Sequence, residues 1–303
     1  VAERRKPYRQ IVALKLIKPG MDSKAVLARF DAERQALALM DHPNIAIVLD
    51  AGTTDQGRPY FVMELIQGQP ITDYCDEKKL TINERLELFS TVCHAVQHAH
   101  QKGVIHRDIK PNNVLVTEID GKAVPKVIDF GVAKALSTSL TDRTVYTSFQ
   151  ALVGTPLYMS PEQAKLSGVD VDTRSDVYSL GVLLYELLTG DVPFDRARMK
   201  KAALDELCRI IREEDPPSLS VRVSKLGDTA TQVSQNRATE TDKLIRSLKN
   251  ELTWIVRKAM DKERNRRYQT PSALADDVRA HLSDAPISAG KPSNFARARR
   301  YAK

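Results

Sequence analysis

The sequence predicts an α+β protein in two unequal parts, a small β-rich part followed by a larger, mainly helical one. Three observations carry this. Apolar, β-prone runs at 11–17, 45–51 and 59–64 are separated by polar turns, and helical spacing takes over from Ile71. A second β signal, a hairpin across 114–128, turns at Asp120-Gly121. Residues 174–188 contain Val177, Leu180, Val182, Leu183, Leu184, Leu187 and Leu188, apolar nearly all round, so that helix belongs at the centre of the larger part. A chain of 303 residues is long enough to bury such a core.

In order, residues 11–17 form a strand around Lys15. Asp22-Ser23 caps a helix whose apolar positions Val26, Phe30, Leu37 and Met40 keep helical spacing up to His42-Pro43. Glu33 stands in its middle. The strands 45–51 and 59–64 meet at a turn containing Asp55-Gln56-Gly57. Thr81-x-x-Glu84 is a capping box, and Leu86, Phe89, Cys93 and Val96 continue one apolar face until Gly103. His94 and His98 lie one turn apart on that helix, but no glutamate follows His94, so a structural role outweighs a zinc site.

Residues 132–153 are polar and rich in Ser and Thr. After the central helix, which Gly190 ends, Leu204, Leu207, Ile210 and Ile211 mark another. The weakly patterned stretch 218–242 reads as a surface insertion. Helices resume at 251–260 around Trp254 and at Thr270-Pro271, and the chain beyond Pro286 reads as an unstructured basic tail.

Composition narrows the function classes. Hydrophobic residues at 42% and charged ones at 28% suit an ordinary globular enzyme. No apolar run approaches a membrane span. Cys75, Cys93 and Cys208 are too scattered for a disulfide framework or zinc spacing and point to a reducing compartment. Of the net charge of +7, five units come from Lys291, Arg297, Arg299, Arg300 and Lys303, so the body is nearly balanced and nucleic-acid binding is not expected.

The chemistry concentrates in residues 104–131. Asp108 can take a proton from a hydroxyl, and Lys110 is a cation that can meet a phosphate. Asn113 and Asp129 are oxygen donors of the kind Mg²⁺ prefers, and the hairpin brings them to neighbouring ends where they can share an ion. That is a phosphoryl-transfer centre.

The ordered set His106-Arg107-Asp108, Asn113 and Asp129-Phe130-Gly131 resembles the catalytic and metal-binding loops of protein kinases, over about 11–282. The run from Gly154 to Glu162 is similar to bacterial serine/threonine kinases of the eukaryotic-like type, most of all those of planctomycetes. The resemblance implies a bilobal protein-kinase fold, with 1–66 as small lobe and hinge, 67–285 as large lobe and 286–303 as tail. It implies Mg²⁺ and ATP as cofactors and protein hydroxyls as substrates, and it allows a homodimer. Lys15, paired with Glu33, would hold the α- and β-phosphates. Met63 would lie behind the adenine, with the backbone at Glu64 and Ile66 bonding it. Asp108 would be the base, Lys110 would steady the phosphoryl group, and Asn113 and Asp129 would hold metal.

Structural roles follow from the same resemblance. Glu162 would pair with Arg267, and Asp176 would bond the catalytic-loop backbone. His106, Phe130, Leu37 and Val48 would stack between the lobes. Residues 132–153 would be an activation segment ending at Thr155 and Ser160-Pro161-Glu162, where the family usually has Ala-Pro-Glu. Its phosphorylation site would be Thr147, with Thr144 and Ser148 next, because Arg107, Arg29 and Lys134 would converge beneath it and a phosphate would meet all three. The setting implied is cytoplasmic, free or beside a membrane anchor. One departure is marked: no Gly-x-Gly-x-x-Gly precedes Lys15. The expectation is a fragment cut after the phosphate-covering loop, a poor kinase by itself; a natural truncation is the other explanation. A pseudokinase-like module would be expected to lack Asp108, Asn113 or Asp129. A small-molecule phosphotransferase would not need the activation segment.

Overall fold

The computed structural model describes residues 1–4, 9–17, 35, 37, 39–130, 156–165 and 171–290. The small lobe is an antiparallel sheet of β1 (Ala2–Arg4), β2 (Gln10–Leu16), β3 (Val48–Thr53) and β4 (Pro59–Glu64), in the order β1-β2-β4-β3. On β2, Lys15 lies opposite Phe61 and Ala13 opposite Met63. Gly57, at φ 77, closes the β3–β4 turn as its N–H meets the Thr54 carbonyl at 2.8 Å. Leu37 and Met40 are buried in the core, while Glu33 and most of the helix expected around it lie outside the described residues.

The strand expected at 45–51 begins instead at Val48. Residues 44–46 cross to the large lobe: Ile45, fully buried, bridges to Val127, and the Ala46 N–H donates to the Val127 carbonyl at 3.0 Å. Asn44 donates its side-chain amide to the Pro125 carbonyl at 2.8 Å, and its own carbonyl accepts from the Val127 N–H at 2.8 Å. Backbone donors that would have built a longer β3 are thus used between the lobes.

In the large lobe, β5 (Gln69–Pro70), β6 (Val114–Ile119) and β7 (Lys122–Val127) form a second sheet in that order. The β6–β7 hairpin turns on Asp120 (φ 49) and Gly121 (φ 74), the paired left-handed conformations of a tight hairpin. Pro125 is tolerated because β7 is an edge strand. The Ile82–Gln101 helix opens on the expected capping box: the Thr81 N–H donates to Glu84 Oε2 at 2.8 Å and the Glu84 N–H to Thr81 Oγ1 at 3.4 Å. The Thr173–Thr189 helix is buried along almost its whole length and ends on Gly190 at φ 77. The Glu251–Ala259 helix crosses it so closely that a β-carbon on Gly181 would come within 2.9 Å of the Ala259 side chain.

The stretch 218–242 is not a surface insertion. It contains the helices Leu219–Ser224 and Thr229–Gln235 and the start of Thr241–Ser247, with Leu219 and Val223 in the core. A further anchor is polar. Arg237, 2% exposed, donates to the carbonyls of Leu188 (2.7 Å) and Leu187 (2.8 Å), acceptors left over at the end of the central helix, and to that of Val233 (2.9 Å) on its own preceding helix. Burial, and then neighbouring Arg85, pull the Arg237 guanidinium down to about 10. Because its apolar anchors are few, Leu219 and Val223, and a guanidinium does the rest, hydrophobic periodicity misses it.

Ser288 and Ala289, expected in the tail, are docked on the large lobe. Asp277 accepts the N–H groups of Ser288 (2.7 Å) and Ala289 (2.8 Å), and Ala289 is buried. Residues 291–303 lie outside the described residues. Among the described residues no helix is long and apolar enough to cross a membrane. The three cysteines are free and buried, and burial pushes the Cys75 thiol up to about 11.

Candidate active site

The site is assembled from the buried N-terminal turn of the Thr173–Thr189 helix. Asp176, fully buried, accepts the His106 N–H at 2.7 Å and His100 Nε2 at 2.7 Å on one carboxylate oxygen, and the Arg107 N–H at 2.8 Å on the other. Burial alone would raise this carboxyl, but the bonds from His100 and His106 hold it below the ordinary value. The loop needs such fixing because Arg107 has φ 65 and Asp129 φ 64, conformations seldom taken by residues other than glycine. His100 was missed in the sequence, since a histidine near the end of an amphipathic helix carries no signal of its own.

His106 is an internal strut. Its Nδ1 accepts the Asp108 N–H at 3.2 Å, so Nε2 is the atom that donates to the Ile128 carbonyl, at 3.1 Å. Burial lowers its pKa, in keeping with a neutral ring used at both nitrogens. The ring packs against Phe130 with centroids 4.7 Å apart. Leu37 and Phe130 belong to one buried cluster, with Val48 packed against it, so the four residues expected between the lobes share one core.

Around Asp108 the contacts are polar. Lys110 Nζ lies 2.7 Å from Asp108 Oδ2. Asn113 Nδ2 donates to the Asp108 carbonyl at 2.8 Å and to Oδ2 at 3.1 Å, an orientation that turns the amide oxygen of Asn113 elsewhere. The Ile128 N–H donates to the Asn113 carbonyl at 2.9 Å, which sets Asp129 beside Asn113 across the mouth of the hairpin. Two oxygen donors at neighbouring positions suit Mg²⁺, which takes one or two protein ligands and completes its shell with phosphates and water. The residues fit the ion.

Lys15 reaches across the cleft to form an ion pair with Asp129. The cleft between them is lined by Ala46, Val48, Phe61, Met63 and Phe130 as well, an apolar slot with charges at one end. Glu64 is tied on both sides: its N–H donates to the Ile47 carbonyl at 2.9 Å, and its carboxylate meets the Ile47 N–H at 3.3 Å and Lys126 Nζ at 3.3 Å. Ile66 follows on the non-strand connection to β5, partly exposed.

Glu162 and Arg267 form a two-pronged ion pair, both bonds 2.7 Å, with Ser175 Oγ donating to Glu162 at 2.5 Å. The Arg267 guanidinium also lies over the Tyr178 ring at 5.1 Å. Burial opposes the ionised Glu162, but Arg267 outweighs it and the carboxyl sits below its usual range. The His98 and His42 rings lie 5.1 Å apart, tilted by 43°, and among the described residues no group of three or more His, Cys, Asp or Glu could hold a metal. Arg29, Glu33, Lys134, Thr144, Thr147, Ser148 and Thr155 lie outside the described residues.

A β-sheet lobe over a helical lobe, with Lys15 and Asp129 meeting in the cleft between them, defines the bilobal kinase fold. The profile of the protein kinase domain matches residues 1–278, and the chain belongs to that family. Its relatives include serine/threonine-protein kinases of bacteria. A probable serine/threonine-protein kinase of Clostridium perfringens is 33% identical over 286 residues, covering 94% of this chain and 36% of the relative. The serine/threonine-protein kinase PknB of Mycobacterium tuberculosis is 34% identical over 281 residues, covering 91% and 39%. That of Bifidobacterium longum, a probable one, is 33% identical over 290 residues, covering 92% and 37%. The chain thus spans little more than a third of the length of these relatives.

Proposed function

We propose that the protein transfers the γ-phosphoryl group of Mg·ATP to serine or threonine hydroxyls of other proteins. The observation that carries this is Asp108, set between Lys110 and Asn113 on a strained loop that Asp176 fixes from beneath. Asp108 orients the attacking hydroxyl and takes its proton as the new O–P bond forms and the bond to the β-phosphate oxygen breaks. Lys110, 2.7 Å from that carboxylate, is placed to meet the transferring group. Lys15, with Glu33 as its partner, holds the α- and β-phosphates at the charged end of the slot. Met63 backs the adenine, and the backbone at Glu64 and Ile66 bonds it. Asn113 and Asp129 hold Mg²⁺, which, when bound, neutralises charge building up on the phosphate oxygens. Catalysis is then positioning and charge compensation.

Finer features of the same proposal rest on the sequence. Residues 1–66, 67–285 and 286–303 are taken as small lobe with hinge, large lobe and tail, the tail starting from a docked segment. Regulation falls to phosphorylation at Thr147, or Thr144 or Ser148, with Arg107, Arg29 and Lys134 as the cations that would receive the phosphate. The setting is cytoplasmic, free or beside a membrane anchor, and the planctomycete likeness rests on Gly154 to Glu162.

The test is radiolabel transfer from ATP to a generic protein substrate by the full-length protein, with Asp108→Asn alongside and nucleotide binding titrated for both. Transfer falls about 10²–10⁴-fold while nucleotide affinity stays near wild type. Unchanged turnover removes Asp108 from the mechanism.

A further inference from the structure

The peptide joining Arg107 to Asp108 is gripped from both sides. Arg107, at φ 65, keeps its conformation only where the surroundings enforce it. The N–H of this peptide, on Asp108, donates to His106 Nδ1 at 3.2 Å. Its carbonyl, on Arg107, accepts from Gln163 Nε2 at 3.0 Å. Gln163 is far from this loop in sequence and begins the short helical turn Gln163–Lys165, right after the Glu162 that Arg267 pins.

The Gln163 amide is engaged at both ends. Its Oε1 accepts the Ser160 N–H at 2.9 Å while its own backbone N–H donates to Ser160 Oγ at 3.4 Å. Turned over, the amide would set oxygen against the Arg107 carbonyl and NH₂ against the Ser160 N–H, so only one orientation satisfies the pair. A neutral side chain therefore spans from residues 156–165 to the backbone that aims Asp108. Asp176, His106 and Asn113 hold the other polar groups of this backbone, and Gln163 holds the Arg107 carbonyl.

We propose that Gln163 is a positioning residue for phosphoryl transfer: through the Arg107 carbonyl it transmits the placement of Ser160 and its neighbours to the orientation of Asp108. This rests on the kinase reading above and extends it to a side chain that touches neither nucleotide nor substrate hydroxyl. Without its bond the strained Arg107 peptide can rotate, and a displaced base loses rate steeply with distance.

The experiment uses the full-length protein, with Gln163→Ala and Gln163→Glu made in the wild-type and Asp108→Asn backgrounds. Radiolabel transfer, nucleotide KM and melting temperature are read for each. In the wild-type background kcat falls about five- to tenfold, the order expected for one lost hydrogen bond, while nucleotide KM and melting temperature hold. Gln163→Glu keeps the Ser160 bond but turns an acceptor toward the Arg107 carbonyl, so its kcat falls at least as far. With Asp108→Asn already present, the Gln163 substitutions cost nothing further, because no base remains to be aimed. Unchanged kcat, an equal loss in both backgrounds, or a loss that tracks melting temperature overturns the inference. A wild-type protein that transfers no phosphoryl group overturns the kinase reading itself, and this inference with it.

Discussion

Glu162–Arg267 and Lys15–Asp129 are both ion pairs between residues distant in sequence, yet they sit in opposite surroundings. The side chains of Arg267 and Glu162 are 0% and 6% exposed, and Ser175 and the Arg174 and Asp261 carbonyls occupy their remaining valences. Lys15 and Asp129 are 27% and 32% exposed at the mouth of a cleft. A buried, fully bonded pair is expensive to break because the surviving charge has nowhere to go. A half-solvated pair exchanges partners at little cost, since water covers whichever group is left. One pair is architecture, and the other is suited to trading its contacts for phosphate and metal.

The largest expected effect tests the buried pair. Arg267→Ala strands Glu162 without its cation and destabilises the protein by roughly 3–5 kcal/mol, read by chemical denaturation. A loss under about 1 kcal/mol would show that the pair is no anchor. Lys15→Met should separate function from stability: transfer falls about 10²–10³-fold, in line with removing a group that stabilises transferring charge, while denaturation shifts by no more than about 1 kcal/mol. Comparable losses of stability for Lys15→Met and Arg267→Ala would erase the distinction.

The smallest effect is on acid sensitivity. The Glu162 carboxyl is held below its ordinary value of 4.5, so its stabilisation is present above that pH and is lost as pH falls through the lower, folded value. Asp176 and Asp277 are lowered too and act in the same direction. Glu162→Gln should therefore flatten part of the fall in melting temperature below about pH 4.5, and leave the part due to the other two. An unchanged profile would mean that Glu162 titrates alike folded and unfolded.

How far the sequence could be read follows the same division. The placement of Lys110 and Asn113 around Asp108, with Asp129 across the hairpin, was legible because the motif is short and the hairpin signal at Asp120-Gly121 is local. The capping box at Thr81 and the all-apolar helix at 174–188 were legible because backbone and solvent physics act locally there. Arg237 was not, since a guanidinium that replaces an apolar anchor looks like any surface arginine. His100 and Gln163 escaped for a related reason: their partners are backbone groups or a distant carboxylate, and only the folded chain brings these near. The early start given to the strand at 45–51 failed because Ile45 is as apolar as a strand residue but spends its hydrogen-bonding neighbours on the other lobe.

That crossing has a mechanical consequence. The lobes are joined by chain at Glu64 to Ile66 and, separately, by the hydrogen bonds of Asn44 and Ala46 to Pro125 and Val127. The two fastenings adjoin, since Ile47 and Lys126 both bond Glu64. Twisting or sliding of one lobe over the other would have to pull Val127 from its partners. The same seam therefore sets the register in which Lys15 meets Asp129 across the cleft.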